Sequence, residues 1–434
     1  MVPPAALAIH MCIGQAYAFS VFNLPMTKLI GITQSTPEDW KLTELGWIFS
    51  IAIVFLGLSA AFMGRWVEEH GPRKAMFLAA CCFGGGFIVS YFGVKMHSLP
   101  IVYLGYGVLG GIGLGVGYIS PVSTLIKWFP DRPGMATGMA IMGFGGGAMV
   151  GSPLAVNLMA YFKTPTDMGV ANTFLLMGII YFCIMMVGVV IVRIPAPGWK
   201  PEGWTAPAAG AKKLVTTENV TVGQAMKTPQ FYLLWAVLCL NVTAGIGVLG
   251  QASAMIQEMF PGRVTPITAA GFVGLLSLFN MAGRFLWSSA SDYLGRRNTY
   301  AVYFLLGIAL YATVPTTGHM GSVALFVICY LIIISMYGGG FSTVPAYLKD
   351  VFGTMHVGAI HGRLLTAWSA AGIFGPVLVN YIREYQINNG VPKAEAYTVT
   401  MYIMAGLLVV GFICNFVMRE VDARHHHREA LEAA

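Results

Sequence analysis

Charge is what this chain has least of. Only 10% of its 434 residues are Asp, Glu, Lys or Arg, against about 25% in a soluble domain. Hydrophobic residues make up 56%, and the mean hydropathy is +0.70. A chain this apolar cannot clothe itself in an aqueous surface. That excludes a soluble globular protein and makes lipid part of its solvent. Acidic residues are scarcest of all, 18 in total, each in a loop or at the end of an apolar run. The seven cysteines (Cys12, Cys81, Cys82, Cys183, Cys239, Cys329 and Cys414) all lie within such runs. They read as small packing residues, which excludes a disulfide framework. Short alternating segments are missing too, which excludes a transmembrane barrel. No cleavable leader precedes the first apolar run. The runs hold no Ser/His pair, Asp pair or metal-ligating cluster, so neither an enzyme nor a metal or other cofactor is expected.

What is present is length and apolarity, repeated. Twelve runs occur at 5–29, 43–66, 75–95, 99–128, 134–162, 170–193, 230–258, 265–290, 298–318, 321–348, 358–382 and 395–418. A helix crosses the hydrocarbon layer in about 20 residues. The expected fold is therefore an all-α membrane protein of twelve transmembrane helices in two pseudo-symmetric six-helix bundles. The expected domains are an N-terminal half (1–193), a linker (194–229), a C-terminal half (230–418) and a tail (419–434). The linker is marked by Pro195, Pro197, Pro201 and Pro207 with Lys200, Lys212 and Lys213. His425, His426 and His427 read as part of the tail.

The net charge of +7 calls for no nucleic acid, because the basic residues are sorted by loop. Seventeen, from Arg65 to Arg428, fall in the even-numbered connections and the tail, and seven in the odd-numbered ones. The positive-inside rule then puts both termini in the cytoplasm, in a multi-pass protein of the cytoplasmic membrane. The remaining basic residue, Arg284, lies inside a run.

The halves repeat at one offset. Glu68, Gly71 and Arg73 recur as Asp292, Gly295 and Arg297, each 224 residues on. Pro121, Gly134 and Gly138 recur as Pro345, Gly358 and Gly362 at the same spacing. Pro153 and Asn157 recur as Pro376 and Asn380 with a one-residue slip. Duplicated halves with the substrate site between them near the midplane are a transporter architecture.

The loop from Gly64 to Lys74, with Glu68, Gly71 and Arg73, resembles the signature loop of the major facilitator superfamily, and Ser291 to Arg297 is its second copy. The resemblance covers essentially the whole chain. It implies that Glu68, Arg73, Asp292, Arg296 and Arg297 form a cytoplasmic gate, in which an acid caps a neighbouring helix and pairs with Arg. Narrower features are similar to the monocarboxylate transporter and oxalate/formate antiporter branch. They are Tyr17-Ala-Phe19, the stretch from Trp128 to Gly138, and Asn280 to Arg284. Monocarboxylate transporters place a Lys just after the first of these, where Ser20 and Val21 stand here. They place an Asp where Asn280 stands. The oxalate antiporter has a Lys in span 11, and 364–382 has none. The resemblance also implies that spans 1, 4, 7 and 10 line the pore.

Arg284 carries the most chemistry. An Arg at membrane depth costs at least a few kcal/mol on insertion scales. Its repeat partner is Ala60, so the duplication is broken where a charge entered. Its planar fork matches a carboxylate bidentately. The competing reading is that it snorkels past Asp292, eight residues and about 12 Å away. Asn280, one turn earlier, shares its face. Tyr118 and Tyr337 are phenol donors upstream of Pro121 and Pro345. Gln15, Tyr17 and Phe19 in span 1, Asn241 in span 7 and Phe341 in span 10 complete the substrate candidates. His10 is the candidate for carrying a proton. The Gly-rich stretches 111–117 and 143–147 follow no strand, so they read as helix packing and not as dinucleotide loops.

One buried cation suits one negative charge. The expected function is a secondary transporter of a small monocarboxylate such as lactate or pyruvate, working by alternating access with one proton and functional as a monomer. Exchange of carboxylate anions is the alternative within transport. A transporter-like carboxylate sensor is the alternative from another class.

Overall fold

The computed structural model describes residues 2–196, 198–203, 215, 216, 218–249 and 251–427. Pro197, Pro207, Lys212, Lys213 and Arg428 lie outside the described residues.

Twelve long helices follow the apolar runs. They are α1 (Val2–Met26), α2 (Leu42–His70), α3 (Pro72–Lys95), α4 (Leu99–Trp128), α5 (Pro133–Phe162), α6 (Val170–Ile191) and α7 (Pro229–Leu249). Then come α8 (Pro266–Leu294), α9 (Arg296–His319), α10 (Val323–Phe352), α11 (Val357–Asn388) and α12 (Thr398–Phe416). Eleven of them meet the length and hydropathy of a membrane span among the described residues. The twelfth, α8, has 29 residues, about 43 Å of helix and ample to cross.

Three runs are less regular than their apolarity suggests. In α1, the stretch Gln15–Phe22 tightens to a 3-10 helix, the form that often marks a hinge. In α4, the stretch Tyr103–Gly110 is a π-helix. The seventh run divides into α7 and a short helix, Ala252–Met259.

The chain clusters into two compact units. Unit 1 comprises Met1–Trp128, Gly143–Trp199 and His361–Thr366. Unit 2 comprises Phe129–Met142, Lys200–Ile360 and Ala367–Ala434. The start of α5 thus belongs to unit 2, and six residues of α11 belong to unit 1. In unit 1, α3 packs on α6 and α2 on α4, and in unit 2, α9 packs on α12 and α8 on α10. These are equivalent pairs under the 224-residue repeat.

The repeat is also visible atom by atom. Gly71 and Gly295, 224 apart, turn the chain between equivalent helices with φ of 80° and 82°. A Cβ on Gly138 would lie 2.9 Å from the carbonyl oxygen of Arg284, inside unit 2. A Cβ on Gly362 would overlap the carbonyl oxygen of Ala60, inside unit 1. Both members of these pairs differ by 224, so the same helix crossing is built twice, with Arg in one copy and Ala in the other.

In unit 2 the end of the linker is tied to α10 and the tail. Thr216 and Val220 amides donate to the carbonyls of Asp350 and Phe352 at 2.8 and 2.9 Å. The His427 amide donates to the Asn219 carbonyl at 2.7 Å. His425 Nδ1 lies 3.0 Å from Gln224 Oε1.

Two glycine variants separate packing from backbone strain. Gly362→Ala forces α11 off Ala60 and costs about 3 kcal/mol, the upper range for overpacking. At Gly71 a Cβ meets open space, so Gly71→Ala costs about 1 kcal/mol of left-handed strain. Thermal unfolding in detergent reads the difference, and equal melting temperatures would contradict this packing.

Candidate functional site

Unit 2 builds its site around α8. Arg284 is 0% exposed. Its Nε donates to Asn280 Oδ1 at 3.2 Å, and its NH1 donates to the Ile141 carbonyl at 3.4 Å. Its guanidinium carbon lies 5.3 Å from the centroid of the Phe341 ring on α10, a cation–π distance. All three of these groups are neutral. Phe341 is fixed from behind by Trp368 at 4.5 Å and edge-on by Tyr337 at 5.2 Å. The backbone beside the guanidinium is held as well. The Arg284 carbonyl accepts from the Ser342 hydroxyl at 2.6 Å and from the Ser288 hydroxyl at 2.5 Å. The Thr137 hydroxyl donates to the Ser342 carbonyl at 2.6 Å. Gly338 leaves the room that Asn280 and Arg284 fill, since a Cβ there would lie 2.6 Å from Asn280 Oδ1 and 3.1 Å from Arg284 Cγ.

Unit 1 holds a different cluster. His10 Nε2 lies 3.1 Å from the Tyr118 carbonyl oxygen. A carbonyl only accepts, so Nε2 carries the hydrogen. The His10 and Tyr118 rings stack at 5.1 Å. Phe144 meets Tyr118 edge-on at 5.5 Å and Tyr17 edge-on at 5.1 Å. His361 stands on the remaining side of Tyr118, 5.9 Å between ring centroids.

The signature loops form two ionic clusters. Asp292 accepts from the amides of Gly134 and Met135 at 2.9 and 2.8 Å. Those amides open α5, where the helix dipole favours a negative charge. Arg296 bridges Asp292 at 2.5 Å and Asp350 at 3.2 Å, and also bonds the Ser291 hydroxyl. In unit 1, Glu68 pairs with Lys127 at 2.7 Å. Arg73 donates to the carbonyls of Val189 and Val190 at 3.2 and 3.0 Å, near the end of α6. Arg297, its repeat partner, does the same for Phe416 at the end of α12. The two repeat-related arginines cap helix ends, while Lys127 and Arg296 take the acids.

The profile of the Major Facilitator Superfamily matches residues 6–376. The chain belongs to the Major Facilitator Superfamily. It is similar to the oxalate:formate antiporter of Oxalobacter formigenes, 27% identical over 375 residues, covering 86% of this chain and 81% of that protein. It is also similar to apicoplast pyruvate carrier 1 of Toxoplasma gondii, 24% identical over 390 residues, covering 78% of this chain and 70% of that protein. Among solved structures, the E. coli fucose:proton symporter superposes with a TM-score of 0.67 over 95% of this chain and 97% of that one, at 12% identity. That last likeness shows the fold.

In this superfamily member the structure groups the candidate residues into three sets. Arg284, Asn280, Phe341 and Tyr337 come together in unit 2. His10, Tyr118 and Tyr17 come together in unit 1. Gln15 and Phe19 belong instead to an aromatic core. Gln15 Oε1 accepts from the Tyr106 hydroxyl at 3.2 Å, and Phe19 packs on Tyr106 at 4.3 Å. Asn241 faces away from Arg284. A Cβ on Gly340 would point at Asn241 and one on Gly338 at Asn280, and these positions are about 200° apart around α10. Asn241 instead lines a cavity of about 10 Å³ with Tyr303, Tyr311 and Tyr337, the room one water needs.

Sequence reasoning passed over His361, Lys127, Asp350, Ser342 and Trp368. His361 carried a usable signal, because its repeat partner is Thr137 and the imidazole is a second break in the duplication.

The ionic clusters differ in depth, and stability should follow. Arg296→Gln leaves Asp292 buried without its cation and Asp350 with Lys349 alone at 3.7 Å, and costs about 3 kcal/mol. Lys127, with its side chain 30% exposed, contributes under about 1 kcal/mol. Thermal unfolding of R296Q and K127Q should rank them in that order, and the reverse order would contradict it.

Proposed function

We propose that this protein carries a small monocarboxylate across the cytoplasmic membrane by alternating access, together with one proton. Both termini are on the cytoplasmic side in this reading. The observation that carries it is the Arg284 guanidinium, fully buried and touched by neutral groups. Among the described residues, Arg284 and Arg296 are the buried basic side chains, and Arg296 is committed to Asp292 and Asp350. A single buried guanidinium in contact with neutral groups suits a single carboxylate better than two. It would take the carboxylate bidentately, with Asn280 holding the fork and the Phe341 ring limiting size. Tyr337 is the proposed hydroxyl donor in unit 2, and the Asp292 cluster in unit 2 and the Glu68 cluster in unit 1 are proposed as gating elements of their own units. Moving a lone anion against the potential costs about 2.3 kcal/mol per 100 mV, and one proton makes the step electroneutral.

Anion exchange is the second reading, favoured by the similarity to an oxalate:formate antiporter. Uptake of labelled lactate, pyruvate, formate and oxalate into proteoliposomes, with and without a pH gradient, separates the two. The proposal expects gradient-driven monocarboxylate uptake that needs no internal anion. Binding without flux would favour a sensor.

Arg284→Ala should weaken monocarboxylate binding by about 30-fold or more, equivalent to about 2 kcal/mol, in a protein that still folds. Arg284→Lys should restore little, because a point charge does not reproduce the fork. Normal transport by R284A would remove the proposal.

A further inference from the structure

We infer that His361 and His10, both in contact with Tyr118, form a proton-binding site in unit 1. The inference rests on the proton-coupled reading above and gives the proton a place to ride.

The geometry is that of two imidazoles against one phenol ring. His10 stacks on Tyr118 at 5.1 Å, and the His361 ring centroid lies 5.9 Å from that of Tyr118. Both histidines are sealed, His10 at 0% and His361 at 1% exposure. His361 Nε2 has no hydrogen-bond partner among the described residues. A buried polar atom left so is costly, and packing alone does not require the cost. The repeat shows what packing requires. In unit 2, Thr137 stands where His361 stands and Ser342 where Tyr118 stands, and the Thr137 hydroxyl bonds the Ser342 carbonyl at 2.6 Å. The partner of His10 is Leu234. One copy of the repeat is therefore aliphatic and hydroxylic beside a guanidinium. The other has no guanidinium, only Ala60, and gathers two titratable rings.

The surrounding groups set how many protons the site takes. His10 faces His361 from α1 and Tyr118 faces it from α4. Arg363 lies on its own helix, with Arg65 of α2 acting on Arg363. Glu68 of α2 is paired with Lys127. Two imidazolium charges in contact with one phenol ring would repel each other, so the site holds one proton at a time. The proton adds to a ring-nitrogen lone pair, at Nε2 of His361 or Nδ1 of His10, and leaves from the same atom. No bond other than N–H forms or breaks. Imidazole is the side chain that exchanges a proton near neutrality.

The test uses full-length protein in proteoliposomes and two measurements. First, carboxylate uptake is followed between about pH 8 and pH 6, together with exchange at equal pH. In wild type, acid should stimulate uptake several-fold. In His361→Gln and in His10→Gln that ratio should fall towards one while exchange persists at a measurable rate. A wild-type pH profile in H361Q would overturn the inference. Loss of exchange in step with uptake would overturn it too, since His361 would then be structural. Second, the ring nitrogens of 15N-histidine-labelled protein are titrated in bilayers by NMR. Coupled titration of two signals, identified by their loss in H10Q and H361Q, supports the site. Absence of titration over that range overturns it. Should wild type carry no carboxylate while the two histidines still titrate together, the proposed function falls and the proton site stands.

Discussion

A guanidinium held in a dry interior is the constraint around which this protein is organised. Neutral donors, acceptors and a π face have to make the charge tolerable. Asn280 accepts one N–H, the Ile141 carbonyl accepts another, and Phe341 turns its ring towards the cation. Those contacts need α8 and α10 to approach closely, which is why glycine stands at 338. They also need the backbone at 284 to stay in place, which the hydroxyls of Ser288 and Ser342 secure. The start of α5 completes the arrangement, supplying Ile141 and Thr137 to unit 2 and fastening its own first amides to Asp292.

The chain solves its packing problem once and uses the solution twice. Gly138 on Arg284 and Gly362 on Ala60 are the same helix crossing. Arg73 on Val189 and Val190, and Arg297 on Phe416, are the same helix cap. Where the copies agree, the residues answer to helix packing. Where they differ, packing gives no reason for the difference. Among the differences are Ala60 against Arg284, Tyr118 against Ser342 and Thr137 against His361. Each puts a charged or titratable group where its partner is small. The duplicated Major Facilitator scaffold thus carries a buried guanidinium in unit 2 and, as proposed, one exchangeable proton in unit 1.

Much of the fold could be read from the sequence because lipid demands long apolar runs, and α1 to α12 follow them. The 224-residue offset could be read because loop glycines, prolines and charges are few and distinctive. Arg284 and Asn280 stood out because charge in such a run is rare. Helix faces could not be read. In a membrane protein both the lipid side and the interior side are apolar, so periodicity does not say which way a Phe or Asn points. Hence the contacts of Phe19 and Gln15 with Tyr106, and the cavity that Asn241 lines with Tyr303 and Tyr311, were not legible. His361 gives little sequence signal outside the repeat, because it sits four residues into its run, near the span end. The pairing of Glu68 with Lys127 was not legible either, because two residues 59 apart in sequence meet only through the packing of α2 on α4.

The central claim is that the Arg284 guanidinium receives the substrate carboxylate. The most direct measurement is a carbon–nitrogen dipolar recoupling experiment by solid-state NMR, on protein with 15N-labelled arginine and 13C-carboxyl-labelled lactate in lipid bilayers. The account predicts a coupling for a bidentate pair, with the carboxyl carbon about 4 Å from the guanidinium carbon, and its loss in Arg284→Lys. Bound lactate that shows no coupling to any arginine, or a coupling that survives in R284K, would contradict it.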